Sequence, residues 1–89
     1  MSNINYQNLL VLVHRFDMYD LLPFAHKTLK MSILRLIRKG FLSGEFNLQT
    51  MEQIKFHIFN LPKGPLHKKT ELWNVITSMM ETEFPTIKL

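Results

Sequence analysis

The chain has 89 residues and no cysteine, so it makes one domain near the lower size at which an apolar core suffices, and disulfides and thiolate metal sites are excluded. Hydrophobic residues make up 46 %, with seven Phe and six Met, a composition that folds around a core or a partner and differs from that of a disordered segment. The formal charge of +4 comes from eleven Lys and Arg against seven Asp and Glu, with most of the excess at residues 27–39 and 63–69. The N-terminal residues lack the basic start and apolar run of a signal peptide. The longest apolar run, residues 9–13, is far too short to cross a bilayer. A soluble, intracellular protein, cytoplasmic or nuclear, is therefore expected.

Periodicity predicts a first helix over residues 6–16, with Asn3 or Asn5 as its cap. Leu9, Leu10, Leu12, Val13 and Phe16 fall at helical spacings around much of its circumference, the pattern of a helix covered on more than one side. Asp17, Met18, Tyr19 and Asp20 interrupt it. Asp20 is suited to cap a second helix, since its carboxylate can accept from free first-turn amides. Pro23, at the third helical position, sacrifices no intrahelical bond. This helix is expected to reach Lys39, with Gly40 as the left-handed residue that ends it. Leu22, Ala25, Leu29, Ile33, Leu36 and Ile37 form its apolar stripe.

Residues 41–46 read as a loop. A third helix follows, capped either by Asn47 or through a box formed by Thr50 and Gln53. Met51, Ile54, Ile58 and Leu61 give its inner face, flanked by Phe56 and Phe59. Pro62 and Pro65 break it. Thr70 is expected to cap a fourth helix whose apolar side is Leu72, Trp73, Ile76, Met79 and Met80, and Pro85 stops it. With no sustained period-two alternation, the expected fold is all-α: a small bundle of about four helices arranged as two helical hairpins. It is one domain over residues 1–89, with 1–5 and 82–89 as loose ends.

At residues 9–29 the order of residues resembles the helical hairpin in the C-terminal half of BTB/POZ folds, the group that includes elongin C and the cullin-adaptor subunit of SCF-type ubiquitin ligases. Phe16, Asp17 and Met18 stand at the family's hydrophobic–Asp–hydrophobic turn, and Leu21 and Leu22 at its paired-Leu helix start. Residues 50–80 are similar to the tail of fungal BTB-type proteins. Val13, His14 and Arg15 depart from the small residues usual before the turn, and the β-rich half of the fold has no counterpart here. The resemblance implies an adaptor or transcriptional regulator working within a larger assembly.

Candidates for chemistry are few. His14, His26, His57 and His67 show no i,i+3 or i,i+4 pairing and no acidic companion in a ligand pattern, so no metal site is expected. His14 and His26 can meet only across the first hairpin. Ser32, Ser43 and Ser78 lack a nucleophile-elbow context, the glycines form no phosphate loop, and capping accounts for Asp17 and Asp20. No catalytic residue and no cofactor is expected.

Binding is better supported. So small a bundle cannot hide every large apolar side chain, and Tyr19, Phe24, Met31, Phe41 and Phe46 are the candidates for an exposed partner-binding patch. The partner would be another protein or a second copy of the chain. The alternative is a nucleic-acid regulator that uses Lys27, Lys30, Arg35, Arg38 and Lys39, since no acid interrupts residues 21–44. Lys63, His67, Lys68 and Lys69 make a second basic loop, which reads equally as phosphate-binding or as solubilising charge. Trp73 reads as a core residue.

Overall fold

Four helices make up most of the chain in the computed structural model, which describes residues 4–18 and 21–87. They are α1 (Ile4–Phe16), α2 (Pro23–Leu42), α3 (Leu48–Asn60) and α4 (Leu66–Glu83). No strand occurs among the described residues. The expected all-α bundle is what forms. Helices α1 and α2 are the closest pair; α3 packs beside α1 and α4, and α4 beside α2, so the helices close into a ring. Among the described residues no helix is long and apolar enough to cross a membrane.

The core sits inside that ring. Leu9, Val13 and Phe16 of α1 meet Ile33 and Ile37 of α2, Met51, Ile54 and Ile58 of α3, and Leu72, Ile76, Met79 and Met80 of α4. Each such side chain, removed from water, contributes about 1.5–3 kcal/mol. The inner face of α2 lies lower than its sequence stripe predicts. Ile33 and Ile37 are fully buried and Leu29 and Leu36 partly so, but Leu22 is exposed. His26 takes an inner place instead, tilted against Phe16 at 4.9 Å between ring centroids.

Helix ends show where tertiary packing overrides local signals. Asp20 lies outside the described residues, and the residue flanking the start of α2 is Leu22, in extended conformation, with Pro23 as the first helical residue. At its other end, α2 runs through Gly40 to Leu42, and Gly44 is the residue with positive φ, 82°. Gly40 stays inside the helix because the ring of Phe46 lies directly on it, where a Cβ would come within 2.2 Å of the ring. Its role is close approach, not termination.

Asn47 caps α3: its Oδ1 accepts from the Thr50 N–H at 3.0 Å while the Thr50 Oγ1 accepts from the Asn47 N–H at 3.2 Å. The box expected between Thr50 and Gln53 does not form. Likewise Thr70 is no cap, because α4 begins more than a turn earlier, at Leu66 after Pro65. Asn5 is buried, and Phe84 and Ile87 pack on the core, with Phe84 5.5 Å from Phe41 between ring centroids. Pro85 ends α4 by excluding Phe84 from helical conformation.

Candidate interaction surface

The first candidate patch comes apart. Phe46 is buried, stacked edge-on against both Tyr6 and Phe41, and Phe41 is partly buried between Phe46 and Phe84. These two belong to the core at the α2–α3 turn: Phe41 lies in the extra helical turn of α2, and Phe46, in the loop, folds back on Gly40. Tyr19 lies outside the described residues. Phe24 and Met31 do stand in solvent, at 69 % and 56 % exposure.

A third residue joins them. Leu42, the last residue of α2, is 73 % exposed. Spacings of seven and eleven residues return to within about 20° of one direction along an α-helix. Phe24, Met31 and Leu42 therefore form one straight apolar ridge on the outside of α2. Sequence reasoning missed Leu42 because it ended the helix at Gly40. With the helix carried two residues further, the spacing alone would have revealed it.

The basic candidates divide by whether an acid of α4 stands opposite them. Lys30 Nζ meets Glu71 Oε1 of α4 at 2.5 Å, and Arg38 grips Glu83 of α4 with two bonds of 2.6 and 2.7 Å. Those bonds hold the Glu71 and Glu83 carboxyls below the usual carboxylate range and push the Arg38 guanidinium up. Lys27, Arg35 and Lys39 are exposed and make no such pair among the described residues. Arg15 of α1 is in the same condition. It faces Arg35 across a shallow groove of about 350 Å³ between α1 and α2, whose apolar floor includes Val11, Leu12 and Leu36.

The only carboxylate on α1, α2 or their turn among the described residues is Asp17, and it is engaged elsewhere. It does not cap α2. Buried, it accepts from the Lys63 N–H at 2.9 Å and the Gly64 N–H at 2.8 Å, and lies 3.6 Å from Lys69 Nζ. Lys69 is buried too and donates to the Leu61 carbonyl. The supposed second basic loop thus contributes Lys69 to a clamp joining the α1–α2 turn to the α3–α4 turn. Glu45 is similarly occupied, accepting from Asn5 Nδ2 and from the Tyr6 N–H at the start of α1. Neither contact was legible locally, since the partners lie about forty residues apart or more.

Remaining candidates are placed as follows. His14 is exposed while His26 is buried, and no three of His, Cys, Asp or Glu gather among the described residues in a way that could hold a metal ion. Trp73 is half-buried with Lys55 Nζ 5.6 Å from its ring centroid. The outer face of the α1–α2 hairpin is thus apolar along a ridge and groove, cationic at intervals, and without an opposing acid among the described residues. No family model, curated protein or solved structure matches the chain.

Proposed function

We propose that this protein is a non-catalytic interaction module, an adaptor or regulator that binds another protein through the outer face of its α1–α2 hairpin. The observation that carries this is the ridge of Phe24, Met31 and Leu42, three large apolar side chains in water on one line of a helix. Isolated exposed apolar residues need no explanation, but an aligned row beside an apolar-floored groove is the form taken by helix-binding surfaces. The resemblance of residues 9–80 to the helical half of BTB/POZ folds fits a subunit that works inside a larger assembly.

The alternative, nucleic-acid binding, draws support from Arg15, Lys27, Arg35 and Lys39. It is the weaker reading for two reasons. Glu71 and Glu83 already neutralise two of the five cations first assigned to it. The remaining ones lie on or beside an apolar ridge that phosphates would leave unsatisfied.

Phe24→Asp combined with Met31→Asp tests the proposal. Both sites are exposed, so the double variant should melt with the parent, and proteins that co-purify with the parent from its native cell should be lost with the variant. The same proteins recovered equally with both would refute the module reading. Tight binding of the parent to mixed-sequence DNA or RNA that collapses between low and moderate salt would favour the alternative.

A further inference from the structure

Resting on the interaction-module reading, we propose that the occupant of this face is an acidic amphipathic helix of a partner protein, lying along the α1–α2 groove with its apolar stripe on the ridge and its carboxylates against Arg15, Arg35 and Lys39. Shape is the first argument. From Phe24 to Leu42 the ridge is straight and about 27 Å long at 1.5 Å per residue, and beside its middle, along residues 32–36, lies the groove that Val11, Leu12 and Leu36 line. A second helix, with anchors at three- and four-residue spacings, is the element that fits such a surface.

Charge is the second argument, and it selects among occupants. Arg35 falls on the ridge itself, four residues beyond Met31 and seven before Leu42, while Lys27 and Lys39 border it and Arg15 stands across the groove. Any occupant that buries the apolar row must also meet those four cations, for which the described part of the hairpin offers no free carboxylate. A second copy of the chain docked by the same face would bring its own set of the same cations, and like charges set against each other disfavour that pairing. A bilayer could accept the apolar row only by drawing Arg35 down between Met31 and Leu42. A protein helix with Glu or Asp flanking its apolar stripe satisfies both demands at once.

The probe is a display library of helical peptides of about twenty residues, with a fixed Leu stripe at helical spacing and flanking positions randomised among Glu, Gln and Lys. Selection against the full chain should enrich Glu at the flanks. The recovered peptides should bind about tenfold or more weakly to Arg35→Glu with Lys39→Glu, in keeping with the cost of reversing a charge pair. Their amide shift changes in a nitrogen-15 spectrum should be confined to α1 and α2. Enrichment of Gln or Lys peptides whose binding is lost in Phe24→Asp with Met31→Asp would overturn the acidic partner and leave the interaction face standing. Peptides that bind parent and this variant alike, or no enrichment at all, would remove both. Three further outcomes each overturn the proposal: tight binding to phosphatidylserine vesicles, tight binding to a short mixed-sequence duplex, and a dimer by light scattering that Phe24→Asp with Met31→Asp dissolves.

Discussion

Two stretches hold the chain's excess of positive charge, and the fold puts them to opposite uses. Residues 63–69 lead into and open α4, and there Lys69 turns inward to a buried carboxylate while the Lys63 amide donates to that same group. Along residues 27–39, Lys30 and Arg38 meet acids of α4, whereas Lys27, Arg35 and Lys39 are exposed and find none among the described residues. Density of charge in the linear sequence is similar in both. What separates a structural cation from a free one is whether another helix delivers a carboxylate, and that is a property of topology.

Substitutions can break this contrast, and the largest effect should come at the clamp. Asp17→Ala removes the partner of a buried ammonium and orphans two amides, which should cost about 3–5 kcal/mol. Against a total stability of about 5 kcal/mol for so small a domain, much of the protein should be unfolded at 37 °C, measured by circular dichroism on heating. A melting temperature within a few degrees of the parent would show that the clamp is ornamental. Lys69→Met should cost less, about 1–3 kcal/mol, because the Asp17 carboxylate keeps its two amide donors while the Leu61 carbonyl loses its ammonium.

The α2–α4 edge should give intermediate effects. Exposed pairs are screened by solvent, so Lys30→Met should cost from a few tenths to about 1 kcal/mol, and less in high salt. Glu71 and Glu83 have their carboxyls lowered on folding. Their contribution is therefore complete above the carboxylate range of the unfolded chain and disappears as pH falls through that range and on through the lower folded values. Denaturant midpoints should fall on acidification over that window, and Glu71→Gln with Glu83→Gln should flatten the fall. Smallest of all should be Lys27→Glu with Lys39→Glu, within about 0.5 kcal/mol per site. A marked loss of stability there would mean that those cations have partners after all, and the outer face would lose its argument.

Much of the architecture was legible beforehand, and the misses share one cause. Periodicity located the inner faces of α1, α3 and α4, and Pro62, Pro65 and Pro85 marked real breaks, because those signals act within one or two turns. The end of α2 was misjudged because Gly40 serves a contact with Phe46, six residues on, and no local rule distinguishes a packing glycine from a terminating one. That single slip turned Phe41 into an apparent loop residue and concealed Leu42. Thr70 had the chemistry of a cap, but α4 starts earlier, where its opening turns carry Lys69 against Asp17. At the candidate face, Phe24 and Met31 could be found from the sequence. Which cations beside them are free could not, because Glu71 and Glu83 reach α2 from forty-one and forty-five residues away.

The clamp also bears on the time course of folding. Asp17 meets the α3–α4 turn across 46 and 47 residues of chain, while the helices themselves close over three or four. Joining such distant segments carries a loop-closure penalty that helix formation does not, so the clamp should be absent from the transition state and complete only in the native protein. Its removal would then appear almost entirely as faster unfolding, with the refolding limb of the chevron unmoved. In the cell, Asp17 would set how long a folded copy lasts rather than how quickly a new one forms.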